Sequence, residues 1–378
     1  MARQKKTDGL SVGWKSEGSY PVVFAENMFG EGNAAVADAL RALTGSETPK
    51  LFIVADMNVV QRTEGLGLAI GRYVQANGIR LAAAPVVISG GEKVKSDDLQ
   101  GVRRIVSAAL DAKIGADDVL MAIGGGSVLD VAGYAAAQVR GGVKLVRVPT
   151  TPAAMVDAAF AHYAAVDFRE IKDALRIQCE PDAVIVDRSY AKTVLDGVWR
   201  GGLGEIVRFA ASADAALLRK FAKNVEALAN RDWDAFAEIV ADCVASRAKK
   251  GDTHFAEWSA YRLESMSGYK LPHGYAVPLA ICIDCAYAVE KGILAKEDSD
   301  FICRLLFDCR ALDGLAHSQH LISQPDNILY GLDAWKLSSG SDEVVLPTGL
   351  GVSRAVAAPD REVYKKVIKE FMAVSTAV

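Results

Sequence analysis

The stretch Val119–Ala137, VLMAIGGGSVLDVAGYAAA, is the part of the sequence from which the fold can be predicted most directly. Apolar residues form a short strand, three glycines end it, and a helix follows from Val128 to Gln138. Backbone N–H groups at a helix start attract anions, and residues without a Cβ let a phosphate approach closely. The stretch therefore predicts either a pyrophosphate-binding turn or a tight strand-to-helix turn. Its glycine spacing is that of neither the common dinucleotide motif nor a Walker loop.

Strands and helices alternate on both sides of this turn. Such alternation indicates a doubly wound parallel sheet with helices on both faces. The predicted strands are VVFAENMF (22–29), KLFIVAD (50–56), LAAAPVVISGG (81–91), DVLMAIGGGS (118–127) and VKLVRVPTT (143–151). Four helices are predicted between these strands. The first begins at Asn33, the second ends at Gln75, the third spans Ser96–Lys113 and the fourth spans Val128–Gln138.

The second half of the sequence has a different pattern. After a predicted loop over Thr150–Asp157, amphipathic helices dominate from Tyr190 onward. The fold class is therefore α/β + α, with a nucleotide-binding domain over 1–188 and a mainly helical domain over 189–378. Helices are predicted over Asp214–Ala229, Asp232–Lys249 and Tyr261–Met266. Two short predicted strands, DAVIVD (182–187) and EVVLPTGLG (343–351), indicate that the two halves contribute strands to a common sheet.

Composition restricts the class of ligand. The chain has 378 residues, enough for two packed domains, and 51% of them are hydrophobic while 24% are charged, as in soluble globular proteins. A formal net charge of −4 provides no basic field for nucleic acid or an anionic membrane. We therefore expect a small-molecule ligand and no nucleic-acid or membrane partner.

Cysteine usage and the N-terminus predict a reducing, cytoplasmic location. The six cysteines are scattered, and the one close pair, Cys282 and Cys285, lies in the apolar helical run Ile281–Val289. Buried thiols are therefore expected there rather than a zinc or redox site. The N-terminal MARQKKTDGLSVGW lacks the apolar core of a signal peptide, and no apolar stretch reaches membrane-spanning length without charge.

Polar residues follow two other strands. Asp56 and Asn58 come directly after KLFIVA, where short polar side chains either bind ribose hydroxyls or cap the next helix. Glu92 and Lys95 lie in GGEKVK, and taken alone they are typical of a solvated pair at a helix start. The residue types leave both alternatives open.

In order and spacing, these segments resemble the dehydroquinate synthase family, the sugar phosphate cyclases. The resemblance covers almost the whole chain and is closest to the EboD-like branch. It implies NAD, a divalent metal (zinc or similar), a lyase reaction on a polyol or sugar-derived substrate, and a homodimer. The matching landmarks are SYPVVF, VADMNV, GGEKVK, AIGGGSVLDVAGYAAA, VRVPTT, VDAAF, KDALRIQCEPDAVIVD, GGLGEIVRF, SMSGYKLPHGYAVPLAICID and VVLPTGLGVSRAV.

The resemblance also implies a set of cofactor and metal residues. Asp56 after its strand is expected to favour NAD over NADP, because a carboxylate repels a 2′-phosphate. For the metal, Glu205 and His273 match the family's first and last ligands, and Glu257 stands at the position of the middle one. The residues at NAD-contacting positions are Asp56, Asn58, Glu92, Lys95, Gly125, Gly126, Asp130, Thr150 and Thr151.

The substrate side departs from the family pattern. Tyr163, Asp173 and His254 stand where the family has a Lys and two Asn that serve the substrate phosphate. Arg208 replaces a Lys, while Tyr261 and Tyr275 replace a His and a Glu. The resemblance therefore predicts a rebuilt phosphate pocket. The residues expected around the reacting carbons are Asp157, Lys172, Arg208 and His273.

Three hypotheses follow. The first is a cyclase-like enzyme that uses bound NAD for transient oxidation and elimination and does not make dehydroquinate at a useful rate. The second is a non-catalytic NAD-binding relative that has kept the fold. The third is an NAD-dependent polyol dehydrogenase, although the additional histidine ligands of that group are not apparent in the sequence.

Overall fold

A seven-stranded parallel sheet forms the first half of the computed structural model, which describes residues 18–168, 171–314, 320–321 and 323–375. The sheet order is β1-β9-β6-β5-β2-β3, and β4 also pairs with β2. Its strands are β1 (Val22–Ala25), β2 (Lys50–Asp56), β3 (Arg80–Leu81), β4 (Val86–Ile88), β5 (Val119–Gly124), β6 (Lys144–Pro149) and β9 (Ala183–Asp187). The predicted doubly wound sheet is confirmed.

Crossover helices connect these strands. They are α1 (Ala35–Thr44), α2 (Met57–Arg62), α3 (Leu66–Ala76), α4 (Gln100–Asp111), α5 (Gly126–Gln138) and the short α6 (Pro152–Val156). Strand β2 has β4 on one side and β5 on the other, so the strand order reverses at this point. Ligands of doubly wound folds bind at such a reversal, beyond the carboxyl ends of the strands.

An antiparallel hairpin interrupts the crossover between β6 and β9. Strands β7 (Tyr163–Phe168) and β8 (Ile171–Gln178) pair outside the main sheet. The register shifts between Val166 and Phe168, and Asp173 has a left-handed φ of +53°. The hairpin was not predicted from the sequence. It carries Lys172 and Asp173 toward the helical half.

Helices build the second half, as predicted. They are α7 (Asp196–Ala213), α8 (Ala215–Lys223), α9 (Val225–Ala229), α10 (Trp233–Lys250), α11 (Glu257–Met266), α12 (His273–Glu290), α13 (Lys296–Asp308), α14 (Pro325–Ser339) and α15 (Arg361–Ser375). A 3₁₀-helix, Arg188–Thr193, connects β9 to this half. The division of the chain at residue 188 stays a prediction.

Several element predictions were wrong in detail. EVVLPTGLG does not join the main sheet, because β10 (Glu343–Gly349) pairs antiparallel with β11 (Val352–Ala357) in a sheet of its own. Thr150–Asp157 contains α6, since Thr151 accepts a hydrogen bond from the backbone N–H of Ala154 and Pro152 suits a first helical turn. Three helix limits also differ from the prediction. Helix α4 begins at Gln100 rather than Ser96, and α11 begins at Glu257 rather than Tyr261. The helix predicted over Asp214–Ala229 is divided at Asn224 into α8 and α9.

Cys282 and Cys285 are buried free thiols in α12, as predicted. Within the described ranges, no helix is both long and apolar enough to cross a membrane. The basic N-terminal stretch, for which no signal peptide was expected, lies outside the described residues.

A buried carboxyl group fixes the helix pair α11 and α12. Asp284 of α12 accepts hydrogen bonds from Trp258 Nε1 of α11 at 3.0 Å and from the Tyr364 hydroxyl of α15 at 2.9 Å. Burial raises the pKa of Asp284 to about 7, although both hydrogen bonds oppose this rise. Because α11 begins at Glu257 and α12 at His273, this contact sets the relative positions of two predicted site residues.

We predict that Asp284→Asn removes part of the pH dependence of stability. The ordinary aspartate pKa is about 3.9, so the folded state retains a proton here that the unfolded state releases. The stabilisation from this group is present below about pH 4 and is lost as pH rises through 7. Relative to wild type, the free energy of unfolding of the variant should rise by about 2–3 kcal/mol between pH 5 and pH 8, because roughly two pH units of that interval lie between the two pKa values and each is worth about 1.4 kcal/mol.

Urea unfolding at several pH values measures this difference. A constant difference in free energy of unfolding between the two proteins from pH 5 to pH 8 would contradict the prediction.

Candidate active site

The predicted cofactor residues surround the carboxyl edge of the parallel sheet. Asp56 ends β2, Gly125 and Gly126 follow β5, and Thr150 and Thr151 follow β6. The Thr150 N–H donates to the Gly124 carbonyl at 2.9 Å, which holds the ends of β5 and β6 together. Among the described residues, no side chain caps the start of α5, so its N–H groups keep their capacity to bind an anion.

Asp56 caps the start of α2, which is one of the two alternatives that the sequence predicted. Its Oδ1 accepts a hydrogen bond from the Asn58 backbone N–H at 2.8 Å and from Asn58 Nδ2 at 3.1 Å. A Cβ on Gly90 would lie 2.5 Å from both carboxylate oxygens of Asp56, so only glycine fits beside this group. Burial raises the pKa of Asp56, although the hydrogen bonds from Asn58 oppose the rise. The ribose-binding alternative stays a prediction.

Glu92 and Lys95 are not the solvated pair that their local sequence favoured. Lys95 is buried, and its Nζ lies 2.8 Å from Asp130 Oδ2 and in contact with Asp173 Oδ1. Glu92 Oε2 accepts a hydrogen bond at 2.7 Å from the hydroxyl of Ser127, in the first turn of α5. Burial alone would raise the pKa of Glu92, but Lys172 and Lys95 lower it. Both residues belong to a buried ionic network.

Lys172 connects that network to the helical half. Its Nζ lies 3.0 Å from Glu92 Oε1 and 2.5 Å from Oε2 of Glu264 in α11. Burial alone would lower the pKa of Lys172, but Glu264 and Glu92 raise it. Lys172 is therefore a fixed cation and hydrogen-bond donor rather than a base.

Glu264 also holds His273. Its Oε1 lies 2.8 Å from His273 Nδ1, which leaves Nε2 of the same ring facing Glu205 Oε2 at 3.7 Å. Burial alone would lower the pKa of His273, but Glu264 and Glu205 raise it to about 10. Metal-binding histidines usually have one ring nitrogen held by a carboxylate, which leaves the second ring nitrogen free for the ion. His273 has this arrangement, with Glu264 at Nδ1 and Glu205 facing Nε2.

Glu205 and His273 fit a divalent ion. Glu205 Oε2 is buried and, in the part of the chain that the structure describes, has no hydrogen-bond partner. Two ligands at about 2.0–2.2 Å from one tetrahedral ion lie roughly 3.4 Å apart, close to the observed 3.7 Å between His273 Nε2 and Glu205 Oε2. An ion between them would displace the imidazole proton, because a ligand histidine must be neutral.

The third predicted ligand, Glu257, lies on the other side of Arg208. Arg208 Nε is 2.5 Å from Glu205 Oε1, and its Nη1 is 3.5 Å from Glu257 Oε1. Burial alone would raise the pKa of Glu205, but Arg208 and His273 lower it to about 2. The guanidinium thus keeps Glu205 ionised and bridges it to Glu257. The prediction that Glu257 is a ligand stays open.

Asp157 and Arg247 extend the cluster. Asp157 Oδ1 lies 3.2 Å from Arg208 Nη2 and in contact with Arg247 Nη2, while Arg247 Nη2 is 2.9 Å from Asp252 Oδ2. Burial raises the pKa of Asp157 to about 6, and Arg247 opposes the rise more strongly than Arg208 does. A carboxyl group with such a pKa exchanges a proton readily near neutral pH.

A second group of potential metal ligands lies beside Arg208. In the described ranges, Asp252, His254 and Glu257 each place one donor atom within 4.8 Å of the others. The Glu257 hydrogen bond raises the pKa of His254 to about 9. Because Arg247 and Arg208 already contact Asp252, at 2.9 Å and 3.6 Å, this group is partly neutralised and we assign no ion to it.

The substrate-side substitutions are also near one another. Asp173 Oδ2 lies 3.9 Å from Arg176 Nη2, and the Arg176 guanidinium stacks over the Tyr163 ring at 4.7 Å. Lys95 lowers the pKa of Asp173 against the effect of burial. Asp173 is therefore an ionised carboxylate held in place by cations.

Sequence reasoning missed Glu264, Arg247 and Asp252 as parts of the site. It also missed Asp167, whose Oδ1 accepts a hydrogen bond from the Asp173 backbone N–H at 2.9 Å. For Glu264 a signal was present, because it follows Glu257 by seven residues and therefore lies on the same face of α11. Arg247 lies in the last turn of α10 and contacts Asp157 only through tertiary packing, while Asp252, just after α10, pairs with Arg247. No sequence pattern indicates that contact.

We predict that Arg208→Met lowers the free energy of unfolding by about 3–5 kcal/mol, because it leaves the buried carboxylate of Glu205 without its guanidinium partner. Arg208→Lys should be intermediate, since a single ammonium cannot span Glu205, Glu257 and Asp157 as the guanidinium fork does. Urea unfolding measures the loss.

Arg219→Met, on the exposed surface of α8, is the matched control and should change stability by less than about 0.5 kcal/mol. Equal stability of the Arg208 and Arg219 methionine variants would show that the bridge contributes nothing.

The chain is similar to known proteins over most of its length. Residues 85–200 match the family model of the 3-dehydroquinate synthase N-terminal region. The 3-dehydroquinate synthase of Pyrobaculum islandicum is 30% identical over 256 residues, which cover 65% of this chain and 74% of that protein.

Solved structures support the same fold. The 2-epi-5-epi-valiolone synthase ValA of Streptomyces hygroscopicus, with NAD+ and Zn2+ bound, superposes with a TM-score of 0.83 at 22% identity, covering 97% of this chain and 100% of that one. A 2-deoxy-scyllo-inosose synthase, complexed with carbaglucose-6-phosphate, NAD+ and Co2+, gives a TM-score of 0.76 at 18% identity, with coverages of 92% and 96%. The fold, the matched region and the extent of the identity agree, and the chain belongs to the dehydroquinate synthase-like family of sugar phosphate cyclases.

Proposed function

We propose that this chain is an NAD-dependent lyase that transiently oxidises a hydroxyl of a polyol or sugar-derived substrate and promotes elimination at a neighbouring carbon. The observation that carries the proposal is the unpartnered Glu205 Oε2, 3.7 Å from His273 Nε2. This pair connects to the start of α5 through Glu264, Lys172 and Glu92. A cytoplasmic homodimer stays a prediction.

NAD is proposed at the carboxyl edge of the sheet, with its phosphates at the start of α5. The uncapped helix start and the glycine turn support this placement. When bound, NAD would accept and return a hydride, so that a transient carbonyl acidifies the neighbouring C–H without net consumption of the cofactor. Two structural neighbours are described as holding NAD+.

A divalent ion is proposed between Glu205 and His273, with Glu257 as the candidate third ligand. A bound ion would polarise a substrate oxygen as a Lewis acid. The two carboxylates and one imidazole suit zinc or another borderline ion. Glu264 holds the ring of His273 and fixes which nitrogen is free for the ion.

The proposed roles of the protein's own residues follow from their contacts. Lys172 is a fixed cation between Glu92 and Glu264, suited to donating hydrogen bonds to a substrate oxygen. Asp157, with a pKa raised to about 6 by burial, is suited to accepting and returning a proton. Arg208 keeps Glu205 ionised, so we assign it a positioning role.

We predict that the purified protein, loaded with zinc and desalted, retains about one ion per chain. Glu205→Gln should reduce this content strongly, and Glu257→Ala should reduce it if Glu257 is the third ligand. Glu264→Gln should weaken metal affinity about 10–100-fold, because it only orients His273. Elemental analysis and zinc titration measure these effects, and NAD is titrated in parallel.

Glu238→Gln, on exposed α10, serves as the control. Full zinc content in Glu205→Gln would remove the site from this position. NAD binding by a wild-type protein that retains no metal would favour the alternatives, a metal-free dehydrogenase or a non-catalytic relative.

We also predict that the protein does not make dehydroquinate at a useful rate, because Asp173 is an ionised carboxylate where the family resemblance implies an amide. Phosphate release from the seven-carbon acidic substrate of dehydroquinate synthase, with NAD and several metals, is the measurement. The Pyrobaculum islandicum relative is the positive control. Turnover by this chain near about one per second, within the usual enzyme range, would overturn the prediction.

A further inference from the structure

We propose that Arg176 is a specificity-determining residue whose exposed guanidinium binds a phosphate ester of the substrate. The inference rests on the proposed function for the position of the substrate, beside the hairpin β7–β8. It goes further by assigning one residue of this chain to one group of the ligand. Its basis is that Arg176 differs from the other cations of the ionic network in exposure and in pairing.

Four cations of the network, Lys95, Lys172, Arg208 and Arg247, are buried. Each of them lies within 3.8 Å of at least two carboxylates. An anionic ligand that displaced one of these carboxylates would leave a buried charge unpaired, which is strongly unfavourable. These four cations are therefore committed to the protein's own carboxylates.

Arg176 is more exposed and has hydrogen-bonding capacity left. Of its side chain 29% is accessible, and its Nη2 lies 3.9 Å from Asp173 Oδ2, beyond hydrogen-bond distance. Its Nε donates to the backbone carbonyl of Asp173 at 3.3 Å. Within the described residues, neither Nη1 nor Nη2 has a hydrogen-bond acceptor. The end of the guanidinium is thus available to an anion.

Stacking on Tyr163 holds this guanidinium in place. Arg176 Cζ lies 4.7 Å from the centroid of the Tyr163 ring. In the β7–β8 pairing Arg176 is opposite Ala165, and Tyr163 is opposite Gln178, so the two stacked side chains are diagonal neighbours. A guanidinium held by its face keeps the N–H groups of its edge free, and its planar fork matches the oxygens of a phosphate.

Arg176 lies at the exposed edge of the proposed site. Burial alone would lower its pKa, but the neighbouring Tyr163, Asp173 and Tyr261 raise it. The ring of Tyr261 is in turn centred 6.4 Å from the ring of His273, the proposed metal ligand. The guanidinium therefore belongs to the same cluster of side chains as the metal position.

The negative charge of Asp173 does not exclude an anion at Arg176, because that charge is already paired. Asp173 Oδ1 contacts Lys95 Nζ. Burial alone would raise the pKa of Asp173, but Lys95 and Lys172 lower it. The contacts of Arg176 with Asp173 use Nε and Nη2, which leaves Nη1 for the ligand.

The proposed elimination gives such an anion site a use. A base takes the C–H proton beside the transient carbonyl, the C–H electron pair becomes the C=C bond, and the leaving group departs with the C–O electron pair. A phosphate ester leaves as a stable anion, and a guanidinium with free N–H groups stabilises that developing charge. Arg176 therefore both selects the ester and favours its departure.

Calorimetric titration of the protein loaded with NAD and zinc tests the inference. The two ligands are carbaglucose and carbaglucose-6-phosphate, which differ only in the phosphate. Wild type should bind the phosphate ester about 10–100-fold more tightly, as expected for hydrogen bonds to a charged group. Arg176→Met should remove most of this preference, and Arg176→Lys should keep only part of it, because an ammonium has the charge without the fork. Both variants should bind carbaglucose as wild type does, which a general distortion of the site would not allow.

Arg219→Met, on the exposed surface of α8, is the matched control and should keep the wild-type preference. Equal affinity of wild type for the two ligands, binding of neither, or an undiminished preference in Arg176→Met would overturn the inference. If Arg176→Met does not fold, an undiminished preference in Arg176→Lys overturns it instead. The proposed function fails separately, when the protein retains neither NAD nor zinc.

Discussion

The carboxylate of Glu264 is the constraint on which the site depends. It has no solvent exposure, and its two oxygens hold Lys172 of the hairpin β7–β8 and His273 of α12. A buried carboxylate is tolerated only with both oxygens satisfied, so the hairpin and the helix cannot shift independently without leaving a charge unpaired. The α/β half and the helical half are thus held in one arrangement by charge complementarity as well as by apolar packing.

The same principle extends in both directions from Glu264. Toward the sheet, Lys172 reaches Glu92, and Glu92 accepts from Ser127 at the start of α5. Toward the helices, His273 faces Glu205, which Arg208 bridges to Asp157. The proposed cofactor and metal positions lie at points along one continuous network. A change of charge at one point is therefore expected to affect its neighbours, which is why the site is better understood as a unit than as a set of ligands.

The sequence predicted the parts of this arrangement that depend on local pattern. The parallel sheet, the glycine turn and the helical half follow from apolar periodicity and from where glycine interrupts it, and the structure confirms them. Two predicted strands were too long, because VVFAENMF is a strand only over Val22–Ala25 and LAAAPVVISGG contains the end of β3 and the separate short strand β4. The burial of Lys95 could not be predicted, because GGEKVK is locally polar and its partners Asp130 and Asp173 are distant in sequence. The hairpin that carries Lys172 was missed for a related reason: it pairs away from the main sheet, and Asp173 has a left-handed backbone conformation in its second strand.

The residues at which the family resemblance implies substitutions are mutually compensated in charge. Asp173 adds a negative charge, and Lys95 and Arg176 lie against it. Arg208 is planar and branched where the resemblance implies lysine, and this shape allows it to contact Glu205, Glu257 and Asp157 at once. An isolated loss of binding residues would leave unpaired buried charges, each strongly destabilising. Matched pairs instead indicate that the pocket was remodelled under a requirement to stay ordered. Such a requirement is easier to understand for a site that still binds a ligand than for a scaffold whose cleft has no role.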